Sequence, residues 1–175
     1  MKTVVRLIDP HAMTLSLIMK KNVVSIGMDE CLKSALEACT DARIRHLPVV
    51  DEENMLVGIL TDRDIRYHLS PRLGTISENN SDRATLDRRV HTVMIRSVVT
   101  GTPDMSLATA AKMLLYDRIG CLPIVDSHRR VIGIVTTSDF LLLLAASPQW
   151  PRVVGPRRAH EPPGDHPEWK DQNPS

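Results

Sequence analysis

Aromatic side chains are scarce: one phenylalanine, two tyrosines and two tryptophans make up 3% of the chain. A core without them is built from leucine, isoleucine, valine, alanine and methionine, which suits helices packed on small sheets. Too few rings remain to stack nucleic-acid bases. Charge of one sign is not in excess either, with 22 Lys and Arg against 21 Asp and Glu. No overall field therefore draws the chain to nucleic acid or to an anionic membrane. Cysteine is sparse and odd in number: Cys31, Cys39 and Cys121 stand in apolar surroundings rather than in a disulfide framework, which points to a reducing compartment. No Cys-x-x-Cys or His-x-x-x-His occurs and the seven histidines are scattered, which argues against zinc. Long apolar runs are missing as well. The stretch from Phe140 to Ala146 is far short of a bilayer span. The opening MKTVVRLIDP meets Arg6, Asp9 and Pro10 too early for a signal-peptide core. The expectation is a soluble cytoplasmic protein without membrane insertion or a nucleic-acid partner.

What is present is a repeat. Met19 to Leu69 aligns with Met94 to Leu144 without a gap, each position displaced by 75. Met19, Val23 and Val24 return as Met94, Val98 and Val99. Asp29, Leu32 and Ala35 return as Asp104, Leu107 and Ala110. Arg43, Ile44, Leu47, Pro48, Val50 and Asp51 return as Arg118, Ile119, Leu122, Pro123, Val125 and Asp126. Gly58, Ile59, Thr61 and Asp64 return as Gly133, Ile134, Thr136 and Asp139.

Each unit begins with a short Val-Val strand. Asp29 then precedes Leu32, Ala35, Leu36 and Cys39, an apolar stripe at helical spacing, and the aspartate is read as the helix cap. Asp104 stands in the same place before Leu107, Ala110, Ala111 and Leu114. Two β-branched runs, Leu47 to Asp51 and Met55 to Leu60, flank the polar Glu52-Glu53-Asn54 and predict a hairpin. Thr61-Asp62-Arg63-Asp64 and Thr136-Thr137-Ser138-Asp139 each open a second helix. The predicted unit is strand, helix, hairpin, helix, an α/β (α+β) arrangement. One such half cannot easily bury its own apolar faces, whereas two packed together can. The divisions are a first repeat over 10–70, a polar linker over 71–89 able to hold one helical turn, a second repeat over 90–147, and a proline-rich tail over 148–175 expected to be disordered. Leu141 to Leu144, with the stripe Leu107, Ala111 and Leu114, offer apolar helix surface for a homodimer.

These residues resemble a tandem pair of CBS (cystathionine β-synthase) domains, also called a Bateman module. The resemblance rests on His46-Leu47-Pro48-Val49-Val50-Asp51 with Gly58-Ile59-Leu60-Thr61-Asp62-Arg63-Asp64, and on Cys121-Leu122-Pro123-Ile124-Val125-Asp126 with Gly133-Ile134-Val135-Thr136-Thr137-Ser138-Asp139. It covers roughly residues 10 to 146. It implies two sheets packed about a pseudo-twofold axis with two clefts between the repeats. In many members these clefts hold AMP, ADP, ATP or S-adenosylmethionine, and two modules commonly pair.

The chemistry of the residues suits that implication. A carboxylate accepts from both hydroxyls of a ribose while a neighbouring hydroxyl side chain fixes the edge of the site. Thr61 with Asp64, and Thr136 with Asp139, match the family's ribose motif. The same pairs cap helices well, and the residues alone leave the two roles open. The family draws the adenine walls from the repeat opposite the Thr-x-x-Asp. That carries over to Val98, Thr100, Ile119 and Gly120 for the Asp64 cleft, and to Val24, Ile26, Ile44 and Arg45 for the Asp139 cleft, although the valines and isoleucines serve equally as core strands. Phosphates need cations, for which Arg45, His46 and Arg63 are the candidates, their counterparts being Gly120, Cys121 and Ser138. The two clefts are thus expected to be unequal, with Asp64 the better site. The resulting expectation is a regulatory adenine-nucleotide sensor with no catalytic residue, metal or cofactor, acting on an enzyme or transporter carried by another chain. The competing expectation is a structural dimerisation module with no ligand.

Overall fold

The computed structural model describes residues 11–146, and the tail and both tryptophans lie outside the described residues. The chain runs through β1 (Ile26–Gly27), α1 (Leu32–Asp41), β2 (His46–Val50), β3 (Leu56–Thr61) and α2 (Asp62–His68). It crosses a linker carrying the short helix α3 (Asn80–Ala84). It then repeats the scheme with α4 (Leu107–Tyr116), β4 (Cys121–Val125), β5 (Val131–Thr136) and α5 (Thr137–Ala145). β1 runs parallel to β2, and β2 pairs antiparallel with β3. In the second half β4 pairs antiparallel with β5, and a parallel bridge from Gly101 to Ile124 takes the place of the first strand. The mixed α/β class and the helix, hairpin, helix order are as the sequence predicts, but the first strand is not at the Val-Val pairs: Val23-Val24 and Val98-Val99 lie outside strands, and pairing begins two residues later, at Ile26 and Gly101.

The hairpins turn where an aspartate organises the backbone. Asp51 Oδ1 accepts from the Glu53 and Met55 amides, and Asp126 Oδ1 from those of His128 and Arg130. That arrangement supports the left-handed φ of 63° at Asn54 and 61° at Arg129. α1 and α4 both end in a Schellman motif. The Ile44 amide reaches the Cys39 carbonyl, the Ile119 amide reaches the Leu114 carbonyl, and Arg43 and Arg118 take the left-handed position at φ 51° and 53°. This turn delivers the next two residues of each repeat to the mouth of a strand.

The start of each first helix departs from expectation. The residue at the cap is Cys31 for α1 and Ser106 for α4, not Asp29 or Asp104. Ser106 accepts from the Thr109 amide, whereas Cys31 makes no side-chain cap. Bridges from Cys31 to Arg89 and from Thr14 to Ser106 hold both cap residues extended. The aspartates are engaged elsewhere, Asp29 with His91 Nδ1 at 3.2 Å and Asp104 with Thr102.

Two cores form, and the chain crosses between them. Leu32, Ala35, Leu47, Val49, Leu60 and Ile65 fill the first together with Val90 and Met94, which come from the start of the second repeat. Leu107, Ala110, Leu114, Leu122, Ile124 and Val135 fill the second together with Leu15, from the start of the first. The crossing segments add a residue to the far sheet: Ile95 pairs with Ile59, and Lys20 with Ile134. These bridges are equivalent under the 75-residue displacement, as are those at Cys31 and Thr14, so the halves are related by a pseudo-twofold. Leu107 and Leu114 are therefore core residues and cannot belong to a docking face. Exposed apolar surface lies instead on Leu141, Leu142 and Leu144 of α5 and on Leu115 and Tyr116 of α4.

The linker is better ordered than its polar composition suggests. Asn79 and Asp82 form a capping box on α3, and Ser70 donates to Asp82 Oδ1 at 2.6 Å, tying the linker back to the end of α2. No helix among the described residues is long and apolar enough to cross a membrane.

Candidate functional site

Thr61 ends β3 and caps α2. Asp64, at the third helical position, accepts through Oδ2 from the Thr61 amide at 3.0 Å and from its hydroxyl at 2.6 Å, while the Asp64 amide donates to Thr61 Oγ1 at 3.1 Å. The capping role is thus real. It leaves Asp64 Oδ1 outside the box, and among the described residues no cation lies within ion-pair distance of it. Arg45 is tied to the same junction, because its carbonyl accepts from the Asp62 amide at 3.1 Å.

A cleft of about 980 Å³ opens beside this junction, lined by both repeats. The first contributes Arg45, His46, Ile59, Thr61, Asp62, Arg63, Asp64, Arg66 and Tyr67. The second contributes Ile95, Ser97, Val98, Val99, Arg118, Ile119, Gly120, Cys121 and Pro123. Every residue expected at this cleft from sequence lines it except Thr100, where the chain has already turned towards the Gly101–Ile124 bridge. Arg66, Tyr67, Ile95, Ser97 and Arg118 were missed, as were Ile59, Asp62, Val99, Cys121 and Pro123. Arg66 lies one helical turn beyond Asp62, and Arg118 one residue before Ile119, so helical spacing and the repeat alignment carried the signal for both.

The cleft lining is both basic and apolar. It carries four arginines, Arg45, Arg63, Arg66 and Arg118, against two carboxylates, Asp62 and Asp64. His46 adds no firm positive charge. Burial pushes its pKa below the ordinary value, with Asp62 pulling it up and Arg45 pressing it further down. Its ring lies over Gly120, where a Cβ would come within 2.7 Å of Nε2. Cys121 is buried and its thiol is pushed up to about 12, which makes it a packing residue rather than a nucleophile.

The pseudo-equivalent site at Asp139 is built differently. Asp139 Oδ2 accepts from the Thr136 amide and hydroxyl, both at 2.7 Å, as at Asp64. Here, however, Oδ1 is paired with Lys20 Nζ at 2.9 Å, and the carboxylate side chain is 6% exposed. Burial alone would raise the Asp139 pKa, but the bonds from Thr136 and Lys20 outweigh it and hold the carboxyl below its usual range. Of the other residues expected here, Ile44 packs half-buried against the first core, Val24 is exposed, and Ile26 lies inside that core at 7% exposure. Ile26 therefore offers no wall to a ligand. Val98 and Val99, which line the Asp64 cleft, have Val23 and Val24 as counterparts, whereas Ile26 matches Gly101, which does not line it.

A two-lobed α/β module with an open, basic, inter-repeat cleft is the class of protein that this fold and geometry define. The CBS domain family's sequence profile matches residues 15–71 and again 90–146, and the chain belongs to that family. A CBS domain-containing protein of Dictyostelium discoideum is 38% identical over 73% of this chain and 88% of its own length. An inosine-5'-monophosphate dehydrogenase of Methanocaldococcus jannaschii is 32% identical over 69% of this chain, which spans only 21% of that enzyme. Among solved structures, the CBS domain pair of protein MJ0100, in complex with 5'-methylthioadenosine and S-adenosyl-L-methionine, superposes with a TM-score of 0.62 at 28% identity. The match covers 75% of this chain and 95% of that one. CBSX2 in complex with AMP gives 0.62 at 25% identity, again over 75% and 95%.

Proposed function

We propose that the chain is a regulatory module that binds a phosphorylated adenine nucleoside, AMP, ADP or ATP, in the Asp64 cleft. The observation that supports this best is the meeting of Thr61, Asp64, Arg45, Arg63, Arg66 and Arg118 in one cleft with the apolar Val98, Ile119 and Ile95. Asp64 Oδ1 and Thr61 Oγ1 serve the ribose hydroxyls, the arginines the phosphates, and Val98, Ile119 and Gly120 the base. Four arginines against two aspartates favour an anionic nucleotide over S-adenosylmethionine, whose sulfonium is itself a cation. We assign the chain no catalytic step. Its readout is a change in the packing of the two repeats, which the nucleotide bridges, sensed in the cytoplasm by an enzyme or transporter on another chain.

Isothermal calorimetry against AMP, ADP, ATP and S-adenosylmethionine tests this. Saturable heat is expected for the phosphorylated nucleosides, and weaker or no heat for S-adenosylmethionine. Four flat titrations would favour the second reading, a ligand-free dimerisation module, which draws on the closed capping box at Thr61 and on the exposed leucines of α5. Self-association belongs to both readings. Light scattering at micromolar concentration is expected to give twice the 19.5 kDa chain mass.

A further inference from the structure

We infer that Lys20 closes the Asp139 site to nucleotide, so that each chain takes a single nucleotide at Asp64; the inference rests on the reading just proposed. Its basis is one substitution within the pseudo-twofold. Lys20 and Ile95 are equivalent under the 75-residue displacement. Each is pinned by the same two-bond bridge, Lys20 to Ile134 at 3.0 Å in both directions and Ile95 to Ile59 at 2.9 Å. Each backbone therefore presents its side chain beside the equivalent carboxylate. On the Ile95 side that side chain is apolar, and Asp64 Oδ1 stays free for a hydroxyl donor. On the Lys20 side an ammonium sits 2.9 Å from Asp139 Oδ1, and Thr136 holds Oδ2, so both oxygens are spoken for.

A ribose reaching Asp139 competes with an ammonium for a carboxylate that is almost fully buried, and exchanges a bond between two opposite full charges for hydroxyl-to-carboxylate bonds in which only the acceptor is charged. Fewer cations compensate here: the counterparts of Arg45, Arg63 and Arg66 on this side are Gly120, Ser138 and Leu141, and only Arg118 is matched by an arginine, Arg43. The lysine comes from the crossing segment whose Leu15 is anchored in the second core, so its backbone stays beside Asp139 although its side chain is 60% exposed.

The test counts AMP bound per chain by calorimetry on the full chain, with thermal melts confirming that each variant is folded. Wild type is expected to take one. Lys20→Met, which keeps the stem and removes the charge, is expected to take a second, lost again when Asp139→Ala is added. The reciprocal variant covers the case in which Lys20→Met does not fold. Ile95→Lys places an ammonium beside Asp64 and is expected to bind AMP roughly tenfold or more weakly than Ile95→Met, the scale of one lost hydrogen bond to a charged group. Two AMP per wild-type chain, one in folded Lys20→Met, or equal affinities for the two Ile95 variants would overturn the closure while leaving the Asp64 reading intact. No AMP bound by wild type or by Lys20→Met would overturn both.

Discussion

The His46 imidazole fills the space that a side chain on residue 120 would need: a Cβ on Gly120 would lie 2.7 Å from Nε2 and 3.1 Å from Cε1. His46 begins β2, and the residue after Gly120 begins β4, so this contact sits where the two repeats meet at the floor of the cleft. Overpacking of this kind costs about 1–3 kcal/mol. Gly120→Ala is expected to lower unfolding stability on that scale, and His46→Ala is expected to relieve most of the loss. Denaturant melts of both single variants and the double variant check this. Additive losses would mean that the ring yields freely and that glycine is not required here.

The same burial makes His46 a source of pH dependence. Its folded pKa lies below the ordinary 6.5, so the unfolded chain binds the proton more readily. The stabilisation is therefore complete above about pH 6.5 and declines as pH falls below it. His46→Gln is expected to flatten the decline of stability below about pH 6.5 relative to wild type. An unchanged slope would place the ring in solvent.

Arg43 occupies the left-handed position that closes the α1 Schellman motif, at φ 51°, and its side chain is exposed. A left-handed conformation costs a non-glycine residue roughly 1–2 kcal/mol, part of which glycine gives back through its freer unfolded chain. Arg43→Gly is expected to raise the melting temperature by a few degrees, the shift that about 1 kcal/mol produces in a domain of this size. A lower melting temperature would show that the arginine makes a stabilising contact that outweighs the strain.

Much of this arrangement is legible in the sequence because the repeat is ungapped. One alignment fixes the hairpins, the Thr-x-x-Asp junctions and the pairing of Arg45 with Gly120, while the meeting of opposite repeats at the Asp64 cleft was implied by the resemblance to the CBS family and not by the alignment. The cap of α1 was not legible from propensity. Asp29 is a better capper than Cys31, and the long-range bridge to Arg89 places Cys31 there, whereas Ser106 of α4 caps as well as Asp104 and propensity left the two equal. The crossing of Leu15 into the second core and of Val90 and Met94 into the first is a tertiary choice, since an apolar residue ahead of a strand does not say which sheet edge it will join. The Lys20–Asp139 pair depends on that crossing. What the sequence did hold was a lysine aligned with an isoleucine, the one sign that the two sites differ at their carboxylates.

Calorimetric titration of AMP into wild type, Asp64→Ala and Asp139→Ala, with a thermal melt of each, tests the central claim most directly. Both substitutions break a capping box, and both are expected to lower stability. Asp139→Ala is expected to lower it more, because that carboxylate is buried and also holds Lys20. Asp64→Ala is expected to weaken AMP binding by about ten- to hundredfold, the cost of a lost hydrogen bond to a charged group, while Asp139→Ala leaves the affinity close to wild type. Equal affinity losses at the two positions, or AMP binding that survives Asp64→Ala undiminished, would contradict the account.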